Sequence, residues 1–393
     1  MKKQLLTVIC LLLVVILTFA ACVEDNKDDN RENGGGITLP TPSDSSSTSS
    51  STSSNSGGNG GDPSTKTQYR NYAWSYFDTV TTIQGYVSSS EEFDLIFQDI
   101  CAELEIYHKL YDIYNQYSGM ENLYTINKLY DGEHRVVTVD QKIIDMLLYA
   151  KELYNKTNGE MNIAMGSVLS IWHDYRSAAE DNYGKGELPP MELLQEAAKH
   201  TDINDLIIDE ENRTVYIADP KMTLDVGAIA KGYAVEMVAQ MLEERGISGF
   251  VINVGGNIRT VGTKANGDKW LAGIETPFDD DDVPYLAYIG LAGEAIVTSG
   301  SYQRYYTVNG KRYHHIIDKD TLMPAEGFVS VSIICTSSSD GDGLSTALFC
   351  MSLEDGMALV NSLEGVEAHW VLPDGTCIKS DGFSQFEVEY NPK

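Results

Sequence analysis

Two hydrophobic spacings alternate along the chain and predict its secondary structure. Apolar residues recur every three to four positions over 89–111, over 140–155 and, in a shorter run, over 191–199, which predicts three amphipathic helices. Alternation of apolar and polar residues predicts strands, most clearly over 69–87. The Asn309-Gly310 pair is a strong hairpin signal. Helices and hairpins in irregular order predict an α+β fold with mixed or antiparallel sheets.

The segment 224–261 combines both spacings. After a turn at Gly227, apolar residues at helical spacing predict a helix, and Gly246 is placed to end it. The run FVINV then predicts a buried strand that ends at Gly255-Gly256. Lys231 lies in the first helical turn, where the helix dipole disfavours a cation. Either this lysine faces an anionic ligand together with free backbone N–H groups, or it is a solvated residue of the polar face.

The first 21 residues predict a secretory signal rather than part of the fold. A basic start at Lys2-Lys3 precedes an apolar run, and small residues at 20–21 precede Cys22. This arrangement resembles the lipobox of bacterial lipoproteins. It implies cleavage before Cys22 and a lipidated Cys22 that anchors the chain to the extracytoplasmic face of the cell membrane. A plain secretory signal and an uncleaved anchor are the alternatives.

Residues 22–66 are expected to form a disordered tether, followed by one domain over 67–393. The tether consists largely of Ser, Thr, Gly, Asn and acidic residues, so it cannot bury enough apolar surface to fold. A flexible chain of this length spans roughly 35 Å.

The acidic composition narrows the classes of ligand. The formal net charge is −30, and loss of Lys2 and Lys3 with the signal lowers it to −32. Such a surface repels DNA and RNA, so we expect no nucleic-acid partner. An anionic small ligand would need a metal ion, which carboxylates could bind. No C-x-x-C motif is present, and disulfide pairing stays open among the four cysteines beyond the signal, Cys101, Cys335, Cys350 and Cys377.

Three short segments could carry chemistry. A helix predicted from Gly343 would make Asp342 its N-cap and place Thr346 one turn on, so that carboxylate and hydroxyl oxygens could bind a hard cation; simple capping is the alternative. A strand over 313–318 would place His315 on one face, as a general base, as a group that orients a phosphate, or as a packing residue.

The third segment is the hydroxyl-rich turn 297–302, which contains Ser299 and Gly300. It could bind a phosphate through backbone N–H groups, or it could be an ordinary turn. Walker A, G-x-G-x-x-G and G-x-S-x-G motifs are absent, so the common nucleotide-binding and acyl-transfer classes lack support.

Taken in order, these segments resemble the ApbE family of FAD:protein FMN transferases. The resemblance covers about 72–386, and its most specific parts are LDVGAIAKGYAVE and VINVGGNIRTVG, followed by TSGSYQRYY, HHIIDKDTLMPA and DGLSTALF. It implies an α+β fold related to the tetrahydropterin-binding fold. It also implies Mg²⁺-dependent transfer of FMN from FAD to a Thr or Ser hydroxyl of an exported acceptor protein, through a phosphoester, with release of AMP.

The resemblance further implies a set of site residues. Asp342, Thr346, the Ala228 carbonyl and Ser345 would hold Mg²⁺. With Asp342, the expected catalytic residues are Lys231, beside the flavin or its diphosphate, and His315, which would assist deprotonation of the acceptor hydroxyl. The residues expected along FAD are Phe77, Thr79, Tyr114, Asn115, Asn162, Lys231, Ser299, Gly300, His315 and Ile316.

Several positions depart from the family pattern. The H-I-I-D-P-R-T-G-x-P motif has Lys319, Asp320 and Leu322 in place of its first Pro, Arg and Gly, so the turn after it is expected to differ. Asn162 replaces an Asp, and Asp78 stands where a Gly is frequent. Two other functions stay open: an Mg²⁺-dependent FAD pyrophosphatase that forms FMN and AMP, and an exported flavin-binding lipoprotein without turnover.

Overall fold

The structure, a computed structural model, describes residues 66–181, 186–278 and 283–390, together with the backbone of 37–38. These residues belong to the larger of two units of the chain, Gly34–Lys393. The predicted signal, Cys22, most of the tether and the acidic run 279–282 lie outside the described residues. Within the described part, no helix is long and apolar enough to span a membrane.

Eight α-helices and sixteen short strands follow one another along the described residues. The helices are α1 (Ser90–Tyr111), α2 (Leu123–Asn127), α3 (Gln141–Lys156), α4 (Gly166–Asp181), α5 (Met191–Ala197), α6 (Ala230–Glu244), α7 (Ser338–Cys350) and α8 (Leu353–Ser362). The strands are β1 (Ile37–Thr38), β2 (Thr67–Tyr76), β3 (Thr79–Val87), β4 (Val137–Thr138), β5 (Leu206–Asp209), β6 (Thr214–Ile217), β7 (Phe250–Val254), β8 (Asn257–Val261), β9 (Trp270–Glu275), β10 (Tyr285–Leu291), β11 (Ala295–Gly300), β12 (Tyr305–Val308), β13 (Lys311–His314), β14 (Ser330–Cys335), β15 (Glu367–Val371) and β16 (Cys377–Lys379).

An eight-stranded sheet is the largest sheet of the described residues. Its strand order is β16-β15-β14-β11-β8-β7-β3-β2. Smaller sheets have the orders β1-β9-β10 and β4-β6-β5, and β12 pairs with β13. All pairings between these strands are antiparallel. The predicted α+β class is confirmed, in its antiparallel form.

Strand β7 is apolar except at Asn253, because both faces of the large sheet are covered. Ile252 and Val254 belong to the main core together with residues of α1, α3, α6 and α7. Val251 points to the opposite face and packs in a second core with Trp270 of β9. Burial on both faces explains why apolar residues point to both sides of this strand.

The predicted end of α6 is confirmed in its detail. Gly246 has a φ of +70°, and its N–H donates to the Glu243 carbonyl. The Ile247 N–H reaches back to the Leu242 carbonyl at 2.9 Å, which completes a Schellman motif. The hairpin at Asn309-Gly310 is also confirmed, because both residues have the positive φ that its tight turn requires.

The predicted start of α7 was wrong. The helix begins at Ser338 with Ser337 as its N-cap, so Asp342 is an interior residue of the helix and not its cap. Gly341 and Gly343 disfavour a helix locally, but a Cβ at Gly341 would lie 2.8 Å from Val297, and one at Gly343 2.1 Å from Leu153. Close packing at these glycines therefore overrides their low helix propensity.

Three further differences concern element boundaries. The strand signal over 69–87 covers two strands, β2 and β3, joined by a turn at Phe77-Asp78. Strand β13 ends at His314, so the predicted strand over 313–318, with His315 on one of its faces, was wrong. Helix α4 was not predicted. The four cysteines beyond the signal are all free thiols in the structure.

Candidate active site

The N-terminal halves of α6 and α7 meet at Asp342. One oxygen of its carboxylate accepts a hydrogen bond from the Gly232 N–H at 2.7 Å. The other oxygen lies 3.3 Å from Asn257 Nδ2 and 3.9 Å from Lys231 Nζ. The predicted pair of Lys231 and Asp342 is therefore brought together, across more than 100 residues of chain. Part of the positive charge of Lys231 is thus balanced within the protein, since the lysine faces the Asp342 carboxylate.

Three hydroxyl groups converge beside the helical turn that follows Asp342. Ser299 Oγ, at the end of β11, lies 2.8 Å from Ser345 Oγ and 3.3 Å from Thr346 Oγ1. Ser345 Oγ also donates to the Asp342 carbonyl at 2.9 Å. The predicted metal-binding residues of α7 and the predicted phosphate-binding turn are therefore one cluster. Ala228 lies half-buried in the turn before α6, and Gly300 directly follows Ser299.

The chemistry of this cluster suits a hard cation. Burial raises the pKa of the Asp342 carboxyl, although Lys231, the Gly232 N–H and Asn257 act in the opposite direction. The anion would therefore gain from a further positive charge. Asn257 is 2% exposed, and its Oδ1 has no hydrogen-bond partner. Among the described residues, no group of three or more His, Cys, Asp or Glu side chains is arranged to hold a metal ion. A cation here would therefore bind one carboxylate and neutral oxygens.

The turn between β2 and β3 lies at the same end of the large sheet as the turn between β7 and β8. Phe77 and Asp78 both have a positive φ, 54° and 52°, which is unusual for residues with a side chain. The Phe77 N–H donates to His108 Nδ1, and the Phe77 ring meets that imidazole edge to face. Thr79 packs so closely against Gly255 that a Cβ there would lie 2.4 Å from its hydroxyl. This contact joins the predicted flavin-binding turn to the turn that precedes Asn257.

His315 is held as a neutral imidazole. Its backbone N–H donates to the Arg304 carbonyl at 3.1 Å, and its Nδ1 lies 3.2 Å from the same oxygen. Burial lowers the pKa of His315 to about 3, with Arg304, His314 and Arg176 acting in the same direction. With the Nδ1 proton on the Arg304 carbonyl, Nε2 keeps a free lone pair. In this state the imidazole is neutral at pH 7, and its Nε2 can accept a hydrogen bond from a hydroxyl group.

The neighbouring His314 is a packing residue. Its Nε2 lies 2.9 Å from the Ala325 carbonyl, and its Nδ1 accepts the Ile316 N–H. Its ring meets Phe349 edge to face, and burial lowers its pKa. Ile316 itself is 4% exposed and belongs to the main core. Its predicted contact with FAD stays a prediction.

Tyr114 and Asn115 lie on a loop ordered by Asp112. The carboxylate of Asp112 accepts both backbone N–H groups, at 2.7 and 2.9 Å, and the Asn115 side-chain amide. The Tyr114 side chain stays 57% exposed, with its ring 5.3 Å from that of His173 on α4. A hydrogen-bonded loop thus presents an aromatic ring to solvent, which suits stacking against a planar ligand.

Asn162 lies at the start of a short 3₁₀ helix and lines a cleft. Its Oδ1 caps a short 3₁₀ helix by accepting the Ala164 N–H, and its Nδ2 donates to the Thr201 carbonyl. It lines a cleft of about 310 Å³ with Lys319 and Leu322, two residues of the divergent motif. Leu322 has a φ of +60° where the family pattern has Gly, a conformation that is strained for a residue with a side chain. The expected difference of this turn from the family pattern stays a prediction.

Sequence reasoning missed several charged residues of the site. Arg176 and His173 share one face of α4, with Arg176 Nη2 3.0 Å from His173 Nδ1. Both act electrostatically on Asp225, whose carboxyl has a pKa raised by burial. Helical spacing over 166–181 was the signal that could have found this pair. No sequence signal places Arg304 or Asn257 beside residues so distant in the chain.

A buried carboxylate, converging hydroxyls and a neutral imidazole on an antiparallel α+β scaffold are the groups of a candidate enzyme site. The model of the ApbE family matches residues 77–370. The chain belongs to the ApbE family.

Curated relatives carry the name FAD:protein FMN transferase. That of Klebsiella pneumoniae is 30% identical over 269 residues, which are 66% of this chain and 81% of the relative. That of Treponema pallidum is 32% identical over 252 residues, 61% of this chain and 67% of the relative.

Solved structures of the family share the fold. The ApbE protein of Thermotoga maritima is 29% identical, with a TM-score of 0.70 over 82% of this chain and 100% of that protein. The flavin transferase ApbE of Vibrio cholerae is 26% identical, with a TM-score of 0.67 over 82% of this chain and 99% of that protein.

Proposed function

We propose that this protein is a lipid-anchored, Mg²⁺-dependent FAD:protein FMN transferase that modifies a Thr or Ser hydroxyl of an exported acceptor protein. The observation that carries the proposal is the Asp342 carboxylate, hydrogen-bonded to Gly232 and Asn257, beside Lys231 and one helical turn from the hydroxyl cluster. Flavin transfer is supported by the names of the relatives, and the oxygen-rich donor set supports a hard divalent ion.

The residues that would hold Mg²⁺ are Asp342, Ser345, Thr346 and the Ala228 carbonyl. Bound there, the ion would offset the charge of a diphosphate and stabilise the leaving AMP. Lys231, with its Nζ 3.9 Å from Asp342 Oδ1, adds a second positive charge beside this carboxylate. These two charges let a strongly acidic protein bind an anionic substrate.

His315 is the group that would accept the proton of the acceptor. The Arg304 carbonyl orients its ring, and Nε2 takes the proton from the Thr or Ser hydroxyl. The hydroxyl oxygen then forms a bond to the FMN phosphorus, and the bond from that phosphorus to the bridging diphosphate oxygen breaks. AMP leaves with that oxygen. The remaining task of the protein is to align the hydroxyl with the breaking bond.

The planar flavin would lie along the turn Phe77–Thr79 and the Tyr114 ring, which support it through aromatic contact. Asn115, Asn162, Ser299, Gly300 and Ile316 are the other residues that we assign to the FAD site. The cell membrane is the proposed location, with Cys22 as lipid anchor and the tether giving the domain reach toward an exported acceptor.

The test compares two neighbouring carboxylates of α7. The full chain, Asp342→Asn and Asp340→Asn are incubated with FAD and Mg²⁺, with and without a purified exported flavin-acceptor protein. Asp340 is the control because it bonds Tyr149 and Lys156 instead of the site. We expect AMP and a covalently fluorescent acceptor from the wild type and Asp340→Asn, and neither product from Asp342→Asn.

Three results would contradict the proposal. Full activity of a folded Asp342→Asn variant would refute the metal site. Free FMN at the same rate with or without acceptor would identify a pyrophosphatase. FAD that stays bound and uncleaved in the presence of Mg²⁺ and acceptor would identify a flavin carrier without turnover.

A further inference from the structure

Near their N-termini, helices α6 and α7 each provide a carboxylate that accepts a hydrogen bond from a backbone N–H of the other helix. Asp342 of α7 accepts the N–H of Gly232, in the first turn of α6, at 2.7 Å. Glu236 of α6 accepts the N–H of Ser338, the first residue of α7, at 2.8 Å. The two residues on each helix are four positions apart and therefore share one face. The helices run antiparallel across this contact, and each acid caps the partner helix.

Each of these caps is electrostatically favourable. The first N–H groups of a helix have no partner within the helix, and its N-terminus carries a partial positive charge. Carboxylates satisfy both requirements through charge-assisted hydrogen bonds. The reciprocal arrangement also couples the caps, because a displacement of α7 along its axis would break both hydrogen bonds together.

Glu236 has no direct part in the site, yet it is buried and heavily bonded. It is 4% exposed, and its Oε2 also accepts Arg259 Nε at 3.1 Å. Gln240 donates to its Oε1 at 3.0 Å. Arg259 is 5% exposed, and it further bonds Glu243 at 3.0 Å and the Gly293 carbonyl at 2.5 Å. The guanidinium thus fixes Glu236 to β8 and to the loop before β11.

We propose that Glu236, held by Arg259, is a positioning residue for the metal site. It fixes α7 against α6 and thereby holds in place Asp342, Ser345 and Thr346, the residues that would bind the cation. The inference rests on the proposed function, since it assumes that these residues bind the ion. An apolar pair would fill the same volume at no electrostatic cost, but it would not define the helix position by directional bonds.

The experiment measures metal binding without substrate. Mn²⁺ is titrated into the full chain and its free concentration is followed by electron paramagnetic resonance, for the wild type, Glu236→Gln and Glu243→Gln. Glu243→Gln is the matched control, because it removes another carboxylate partner of Arg259 that makes no hydrogen bond to α7. We expect Glu236→Gln to weaken Mn²⁺ binding about tenfold, as is common for groups that orient metal ligands, and Glu243→Gln to stay within about twofold of the wild type.

A kinetic measurement separates positioning from catalysis. In Glu236→Gln the Mg²⁺ concentration for half-maximal AMP release should rise by a similar factor, and kcat should recover at saturating Mg²⁺. A kcat that stays low at saturating Mg²⁺ would overturn a role limited to positioning.

The metal titration has two negative outcomes that can be told apart. A folded Glu236→Gln variant with wild-type Mn²⁺ affinity would overturn the positioning role and leave the proposed function intact. A wild-type chain that binds no Mn²⁺ would overturn the metal site and the positioning role together.

Hydrogen–deuterium exchange of the wild type covers the case in which Glu236→Gln fails to fold. Addition of Mn²⁺ should slow exchange at 342–346 and also at the caps, 232–236 and 338–340. Protection confined to 342–346 would overturn the coupling between the helices.

Discussion

The Asp342 carboxylate reaches the Gly232 N–H at 2.7 Å because residue 232 has no side chain. A Cβ at this position would lie 2.4 Å from the Asp342 Cβ and 2.3 Å from the Ser338 carbonyl oxygen. One glycine therefore permits the closest approach of the two helices that build the site.

Gly232→Ala should damage stability and metal binding together. Overpacking of this kind costs about 1–3 kcal/mol of unfolding free energy, and relief of the clash would move α7 away from α6. Denaturant unfolding and Mn²⁺ titration measure the two effects. Gly356→Ala in α8 is the control, since its Cβ would come no nearer than 3.3 Å to the end of the Leu348 side chain and 3.5 Å to the Trp370 ring. A Gly232→Ala variant with unchanged unfolding free energy and unchanged Mn²⁺ affinity would contradict the close approach.

His315→Asn should reduce FMN transfer by a factor of about 10² to 10⁴ and leave Mn²⁺ affinity unchanged, because the side chain acts on the acceptor proton. For the wild type, kcat/KM should stay level as the pH falls through 6.5, where an ordinary imidazole would gain a proton. The reason is the pKa of His315, which is about 3. An acid limb centred near pH 6.5 that His315→Asn abolishes would contradict this protonation state.

Asp78→Gly should stabilise the domain by up to about 1 kcal/mol, since Asp78 has a φ of 52° and glycine adopts this conformation without strain. Thermal unfolding measures the change. The same substitution at Asp94, an exposed residue of α1, should instead destabilise by roughly 0.3 kcal/mol. If Asp78→Gly and Asp94→Gly changed the thermal stability in the same direction, the argument from backbone strain would be refuted.

His369 should make the unfolding free energy depend on pH. It is 1% exposed, and burial lowers its pKa to about 4, with Lys379 acting in the same direction and Glu387 against it. Because the folded pKa lies below the ordinary value of 6.5, the stabilisation is complete above pH 6.5 and is lost as the pH falls toward 4. The loss amounts to about 3 kcal/mol.

The measurement compares wild type and His369→Gln by urea unfolding between pH 7.5 and 4. The wild-type curve should fall more steeply through this window, because the variant lacks the titrating group at this position. Parallel curves would show that the pKa of His369 is the same in the folded and unfolded states.

Cys22→Ser should release the protein from the membrane fraction or leave its signal uncleaved, because the proposed lipid acceptor is lost. Detergent phase partitioning and the mass of the mature chain measure this change. The purified domain should keep its AMP release in solution. Unchanged partitioning into the detergent phase of a chain whose mass shows that the signal is cleaved would argue for a different anchor.

The sequence by itself determined the features that depend on neighbouring residues. Helical spacing and Gly246 specified α6 and its Schellman end, Asn309-Gly310 specified its hairpin, and FVINV specified a buried strand. Ordered motifs also identified Lys231, His315 and Asp342 as site candidates, because each motif carries its chemistry within a few residues.

The tertiary structure alone decided how these pieces combine. The start of α7 at Ser338 could not be read locally, because Gly341 and Gly343 oppose a helix that packing against Val297 and Leu153 stabilises. The hydrogen bond from Ser338 to Glu236 joins residues 102 positions apart, where no local spacing applies. Burial, too, is a property of the assembled core, and it is burial that makes the His315 imidazole neutral and the Asp342 carboxylate suited to a cation.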